Sequence, residues 1–121
     1  MAEQDPNFDL ENRTFEFALS VRRCLKGVQW EREQWNDVDQ LLRSSGSVAA
    51  NYTEANNSIS RADFNFRIRL CKKEASESRL WLRLLGATTN SDTVKEPLRA
   101  IYKESDELVR IFAAILRKTK D

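Results

Sequence analysis

The 121-residue sequence contains no histidine, and this absence removes several kinds of catalytic site at once. Ser-His-Asp and Cys-His arrangements cannot form, and the commonest general base is missing. The Glu-x-x-His motif of di-metal four-helix bundles is excluded for the same reason. We therefore predict a protein that is not an enzyme and that carries no metal or other cofactor.

Cysteine, glycine and proline are also scarce, with two, three and two residues respectively. So few turn-forming residues argue against an all-β fold and favour long helices. Cys24 and Cys71 each stand alone among apolar neighbours, which indicates reduced side chains that fill the core. Gly46 lies inside a helical pattern, where it costs about 1 kcal/mol relative to alanine, so we expect another group to approach closely there.

Charge of one sign is not in excess, because 20 Lys and Arg residues stand against 19 Asp and Glu. The chain therefore has no strong overall field for nucleic acid or an anionic membrane, and RNA binding would need a local patch. No window approaches the roughly 18 apolar residues that cross a bilayer, and the N-terminus lacks a signal-peptide pattern. We expect a cytoplasmic protein with no membrane partner.

Helical periodicity is the main pattern that the sequence does contain. Asp9 suits the N-cap of the first helix, Ser60 followed by Asp63 suits that of the third, and Gly86 is expected to end the third. The apolar spacing predicts helices over about 10–26, 36–56, 61–85 and 94–118. Four helices with short loops predict an all-α, antiparallel up-and-down four-helix bundle.

The domain organisation follows from the same pattern. Residues 1–8 are polar and contain Pro6, so we predict a flexible N-terminal lead-in. The remaining chain, 9–121, is long enough for one hydrophobic core and too short for two. A single four-helix-bundle domain is therefore expected.

Apolar residues cover more of the third and fourth helices than one buried face requires. The third helix has a second apolar arc, so we expect it to contact two neighbours, and the fourth is apolar over more than half its circumference. This surplus predicts self-association or a protein partner. The second arc of the third helix contains Phe66, Leu70, Leu80, Trp81 and Leu84. The candidate interface residues are Phe15, Leu19, Trp81, Tyr102, Val109 and Phe112.

Small and charged residues line the edge of the apolar arcs on the second and third helices. One interpretation is a small polar pocket, and the other is a buried hydrogen-bond network that sets the helix register. A carboxylate cluster of Glu54, Glu74 and Glu77 is disfavoured as a metal site because Lys73 lies beside it, which favours salt-bridged packing. The candidate network comprises Arg43, Ser44, Ser47, Asn51, Glu54, Lys73, Glu74 and Glu77.

Two runs within these helices carry a family resemblance. They are Arg43-Ser44-x-x-Ser47-Val48-x-Ala50-Asn51-x-x-Glu54-Ala55 and Lys73-Glu74-Ala75-x-Glu77-x-x-x-Trp81-Leu82. With Arg13-Thr14-Phe15-Glu16-Phe17-Ala18, Gln40-Leu41-Leu42 and Glu107-Leu108, they make the chain resemble the bacterial four-helix-bundle family that is often encoded in intervening sequences of large-subunit ribosomal RNA genes. The resemblance spans about residues 9–117. Arg79-Leu80 departs from it, since a Glu-Tyr-like pair usually precedes the tryptophan.

The resemblance implies a ring-like homopentamer with no established catalytic role. The family is also similar in fold to the accessory proteins of diversity-generating retroelements, basic pentamers that bind reverse transcriptase and RNA. The first hypothesis is therefore an oligomeric scaffold or protein-interaction module, and the alternative is an RNA-associated accessory protein that binds structured RNA through a basic helix face. The candidate RNA-binding residues are Arg61, Arg67, Arg69, Lys72, Arg79 and Arg83.

Overall fold

A computed structural model describes residues 6–119 of the chain, with side chains from residue 10 onward. Each helix packs against the next along the chain, and the fourth packs against the first. Within the described residues there is no strand, and the predicted all-α four-helix bundle is confirmed. The helices are α1 (Pro6–Leu25), α2 (Trp35–Asn56), α3 (Arg61–Thr88) and α4 (Asp92–Lys118), and a 3₁₀ turn over Arg32–Gln34 precedes α2.

The start of α1 differs from the sequence prediction. The helix begins at Pro6, so Asp9 lies in its first turn and is not the N-cap. Proline is tolerated at the first helical position because its missing N–H would have no helical partner there. Residues 1–5 of the expected lead-in lie outside the described part of the chain, whereas residues 6–8 are helical.

The two ends of α3 test the capping predictions. Ser60 is the N-cap as expected, and its Oγ accepts a hydrogen bond from the Asp63 backbone N–H at 3.0 Å. The predicted stop at Gly86 is wrong, because the helix continues to Thr88 and Gly86 keeps a negative φ. The helix ends where Thr89 becomes extended, and its N–H donates to the Leu85 carbonyl at 3.0 Å.

Phe112 belongs to the core, which corrects its assignment to an oligomer interface. Its side chain is 0% exposed, and its ring centroid lies 6.3 Å from that of Tyr52 on α2. Spacings of three and four residues place it on the same face of α4 as Leu98, Ile101 and Leu108, all of which are buried. The apolar arc of α4 is so broad that the sequence does not indicate which of its residues face the core. Other fully buried side chains include Phe17, Val21, Leu41, Val48, Ile68 and Leu82.

An arginine ties each pair of adjacent helices together. Three of the ties are ion pairs, and the fourth joins Arg22 to the Leu42 carbonyl at 3.1 Å and to Ser45 Oγ at 3.3 Å. A Cβ atom on Gly46 would lie 3.0 Å from Arg22 Nη2, so the close approach predicted at this glycine is the Arg22 guanidinium. The ion pairs are Arg43–Glu74 at 3.2 Å, Arg79–Asp106 at 2.6 Å and Arg13–Glu104 at 2.7 Å.

Both cysteines are free, as the sequence predicts, and the thiol of Cys71 is expected to be inert in the folded protein. Cys71 is fully buried, and this burial raises its pKa to about 12, so almost no reactive thiolate forms at neutral pH. Cys24 is half-buried, and burial also raises its pKa. We expect Ellman's reagent to label Cys71 at least about 100-fold more slowly in buffer than in urea. Rapid labelling of Cys71 in buffer would contradict this packing.

Candidate interaction site

Helices α2 and α3 come close together where small hydroxyl side chains face each other. Ser44 and Ser78 are both fully buried, and their Oγ atoms lie 2.7 Å apart. The Ser44 hydroxyl is also 3.4 Å from the Leu41 carbonyl, to which it donates. Each buried hydroxyl therefore has a partner, and the short side chains allow the two backbones to approach.

Arg43 occupies the centre of the contact between α2 and α3. Its Nη1 lies 3.2 Å from Glu74 Oε2, and its Nη2 lies 2.9 Å from Glu77 Oε1. The hydrogen bond to Glu74 is the main cause that raises the pKa of Arg43. Glu77 also pairs with Lys73 at 3.9 Å, one turn earlier on α3. One guanidinium thus holds two carboxylates, and the buried one is Glu74.

The contacts continue along α2 towards the start of α3. Ser47 Oγ donates to Glu74 Oε2 at 3.3 Å, and Asn51 Nδ2 donates to Ser47 Oγ at 3.0 Å. Arg67 Nη1 then donates to Asn51 Oδ1 at 3.3 Å. We call this line of contacts the polar seam; its members are Arg43, Ser44, Ser47, Asn51, Arg67, Lys73, Glu74, Glu77 and Ser78. Because its members bond mainly to one another, the seam fits the register-setting interpretation better than an open pocket.

The polar seam differs from the predicted network at three residues. Glu54 was predicted to join the network, but it is exposed and makes no ion pair within residues 6–119. Glu54 was predicted because helical spacing places it one turn from Asn51. A member of the polar seam also needs a hydrogen-bond partner on α3, which helical spacing within α2 does not reveal. Arg67 and Ser78 were not predicted as members, because the pairing of α2 with α3 cannot be obtained from either helix separately. The Oε1 atom of Glu74 is buried without a hydrogen-bond partner in the described part of the chain.

Replacing Asn51 with alanine is expected to lower the free energy of unfolding by about 1 kcal/mol. The substitution removes the donor to Ser47 and the acceptor for Arg67, while partial exposure lets water replace some of both bonds. Urea denaturation followed by circular dichroism measures the change. Asn57→Ala is the matched control, because Asn57 is exposed and its side chain donates to the Thr53 carbonyl at the end of its own helix and not across to α3. Equal effects of the two substitutions would argue against a structural role for the seam.

The candidate interface residues are distributed between surface and core. Phe15 is 56% exposed, whereas Leu19, Trp81, Tyr102 and Val109 are half-buried. Phe15 borders an open cleft of about 380 Å³ between α1 and α2, whose other walls include Ala49, Ala50 and Thr53. The indole Nε1 of Trp81 is buried without a hydrogen-bond partner among the described residues.

The second apolar arc of α3 is largely uncovered, in agreement with the surplus of apolar surface that the sequence indicates for this helix. We call Phe66, Leu70, Leu80 and Leu84 the outer stripe. Phe66 is 51% exposed, Leu80 is 49% exposed and Leu84 is 37% exposed, whereas Leu70 is half-buried. Helix α3 does contact two neighbours, α2 and α4, but the face that carries Ile68, Ala75 and Leu82 is the one that is buried. The expected contact of α3 with two neighbours is therefore present, but it does not cover the second arc.

The candidate RNA-binding residues divide into two groups. Arg61, Arg69, Lys72 and Arg83 are exposed and form no ion pair within residues 6–119. Arg67 instead bonds to Asn51, and its guanidinium carbon lies 5.5 Å from the centroid of the Phe66 ring. Arg79 bonds to Asp106 on α4, so it is not part of the free basic face that the sequence predicted.

Within residues 6–119 there is no cluster of three or more His, Cys, Asp or Glu side chains that could hold a metal ion. In the same range, no helix combines the length and the apolar character needed to cross a membrane. The arrangement that remains is a four-helix bundle with an internally bonded polar seam and exposed apolar surface on α1 and α3. These features define the class as a small all-α four-helix bundle.

The comparisons with known proteins agree with this class. The family model described as 23S rRNA-intervening sequence protein matches residues 7–114, and the chain belongs to this family. A similar solved structure is described as a protein with unknown function from the S23 ribosomal protein family of Bacteroides thetaiotaomicron VPI-5482. It is 30% identical, with a TM-score of 0.79, and the match covers 92% of this chain and 97% of that one. A search of curated proteins finds no match.

Proposed function

We propose that this protein is a non-catalytic, homo-oligomeric module whose role is to assemble with further copies of itself and to present a scaffold surface. The observation that carries the proposal is the exposure of large apolar side chains on two helices, Phe15 on α1 and the outer stripe on α3. Isolated exposed apolar residues are ordinary, but an apolar stripe along one helix is typical of an interaction surface. The internally bonded polar seam supports a structural role for the polar residues.

The number of copies that we propose is five, which follows from the family resemblance. Light scattering of the purified protein at micromolar concentration tests this number against a monomer mass of 14.1 kDa. We expect about five times that mass, unchanged by high salt, because apolar contacts are not screened by ions. A monomer mass under all conditions would remove the proposal, and another stable oligomer would retain assembly but remove the pentamer.

A second candidate function is binding to structured RNA. The observation that favours it is the free basic group of α3, in which Arg69, Lys72 and Arg83 are exposed and lie within about 60° of one another around the helix. Repetition of this group in an oligomer would multiply its charge. The near-neutral whole chain makes this group the natural place to test.

RNA binding is tested by fluorescence anisotropy with a structured bacterial RNA at about 50 mM and about 200 mM salt. We expect affinity to fall as salt rises, because each phosphate contact releases a counterion. Replacing Arg69, Lys72 and Arg83 together with glutamine should then abolish binding. The matched control replaces Arg23, Lys26 and Lys118, which are also exposed but lie outside α3. Absent or salt-independent binding would eliminate this function.

A further inference from the structure

The outer stripe of α3 has a regular spacing that extends through two charged residues. Phe66, Leu70, Lys73, Glu77, Leu80 and Leu84 follow one another at separations of four, three, four, three and four residues. This is the spacing of the contact positions of a coiled coil, in which side chains repeat every 3.5 residues. Lys73 is exposed and Glu77 is half-buried, so the charged pair forms the middle of an otherwise apolar line.

The order of residues along this line is symmetric about Ala75. Phe66 and Leu84 lie nine residues on either side of it, Leu70 and Leu80 lie five, and Lys73 and Glu77 lie two. In a second copy of the helix that runs antiparallel, apolar residues therefore lie opposite the apolar residues of the first copy. In the same arrangement, the lysine of each copy lies opposite the glutamate of the other. A helix face with this symmetry is complementary to itself in the antiparallel direction.

We propose that the outer stripe of α3 binds the same stripe on a second copy of this chain, with the helices antiparallel and a two-fold axis at the height of Ala75. Phe66 then packs against Leu84 of the second copy, and Leu70 against Leu80. Lys73 of each copy meets Glu77 of the other, so two ion pairs cross the axis. The inference rests on the proposed self-association and identifies the surface and orientation of one contact.

The charges around the stripe also indicate this orientation. In a parallel pairing, Lys73 would meet Lys73 and Glu77 would meet Glu77, so like charges would lie at the centre of the contact. The antiparallel pairing replaces both repulsions with attractions. On one flank, however, Arg69 approaches Arg83 of the second copy, so Arg69 opposes the pairing. The proposed pairing therefore predicts that Lys73 favours association and that Arg69, four residues earlier, opposes it.

The symmetry of the contact limits what it builds. An isologous contact closes at two copies, whereas a ring needs a heterologous contact made by other faces. Phe15 on α1 and the half-buried Tyr102 and Val109 on α4 lie outside the outer stripe and are available for a ring. The α3 contact would then join two rings, so the mass would rise from about five to about ten times that of one chain at concentrations where this contact forms.

Cysteine cross-linking tests the register directly in a Cys24→Ala background, where Cys71 remains buried. Leu70→Cys and Leu80→Cys are prepared as separate proteins and mixed before addition of a short bismaleimide. We expect a cross-linked dimer in the mixture and almost none with either protein alone. Like positions lie about ten residues, or about 15 Å, apart along an antiparallel pair. Equal cross-linking in all three samples, or none in the mixture, would overturn the proposed register.

Charge reversal provides a second test that leaves the apolar residues intact. Lys73→Glu should weaken association at least about tenfold, whereas Arg69→Glu should strengthen it by facing Arg83 of the second copy. Lys72→Glu is the matched control, because Lys72 is exposed on the same helix but lies off the stripe. Equal effects of the three single reversals would overturn the proposal.

The failure of this inference can be told apart from the failure of the proposed function. Sedimentation velocity gives the mass of each variant, and far-UV circular dichroism checks that its helices are retained. An oligomer that is insensitive to Lys73→Glu and gives no mixed cross-link would retain self-assembly but exclude the α3 contact. A wild-type protein that sediments as a monomer at all concentrations would exclude both.

Discussion

Replacing Phe112 with alanine is expected to lower the free energy of unfolding by about 3–5 kcal/mol, the range observed when a buried aromatic side chain is removed. The Phe112 ring is fully buried and lies 6.3 Å from the Tyr52 ring, so its removal leaves a cavity between α2 and α4. The surrounding side chains relax only partially into such a cavity, which adds to the cost of the lost contacts. Urea denaturation followed by far-UV circular dichroism measures the loss.

Phe15→Ala makes the same chemical change on the surface and is the matched control. Because Phe15 is 56% exposed, we expect this substitution to change the free energy of unfolding of the isolated chain by about 0.5 kcal/mol or less. Its expected effect is on self-association, which light scattering detects. Similar losses of folding stability for the two variants would show that Phe112 does not occupy the core position assigned to it.

Replacing Arg43 with alanine is expected to lower the free energy of unfolding by about 2 kcal/mol. The substitution removes the cation from two carboxylates, and among residues 6–119 the buried Glu74 then keeps only the Ser47 hydroxyl as a partner. Removing one partner of a fully buried ion pair costs about 3–5 kcal/mol. The expected value is smaller because Arg43 is half-exposed and water can reach Glu77.

Two further variants separate the seam contact from a general effect of charge. Arg99→Ala removes an exposed arginine that pairs with Glu96 one turn earlier, and it should have little effect on stability. Adding Glu74→Leu to Arg43→Ala should recover part of the lost stability, because the stranded carboxylate is then gone. If Glu74→Leu lowers the free energy of unfolding by the same amount in the Arg43→Ala protein as in the wild type, the two residues are energetically independent.

The sequence was sufficient to predict the fold because each helix carries its own evidence. Apolar residues recur at helical spacing within every element, and the Ser60 cap acts through a bond to Asp63 three residues away. The cysteines could be assigned to the core for a similar reason, since their apolar neighbours are adjacent on the same helix. Gly46 likewise indicated a close contact, although only the structure identifies the contacting group as Arg22.

The errors at particular residues come from partners that lie far away in the sequence. Glu54 has the right helical phase for the seam but is exposed and forms no ion pair with α3, and Arg79 was assigned to the basic RNA-binding face although Asp106 on α4 binds it. Gly86 has the residue type of a helix stop, yet nothing breaks the helix until Thr89. For Glu54 and Arg79, local chemistry permits more than one outcome, and the packing of the neighbouring helix decides between them.

By itself, the sequence determined the helix count, the exclusion of histidine chemistry and the family resemblance, because composition and periodicity are properties of single segments. It also contains the symmetric order of the outer stripe on α3. Only the tertiary structure decided that this stripe is exposed while Phe112 is buried, and that Arg43, Glu74 and Asn51 form one seam. The physical reason is that burial and hydrogen bonding depend on how helices pack, and a helix with two apolar sides does not specify which side its neighbours cover.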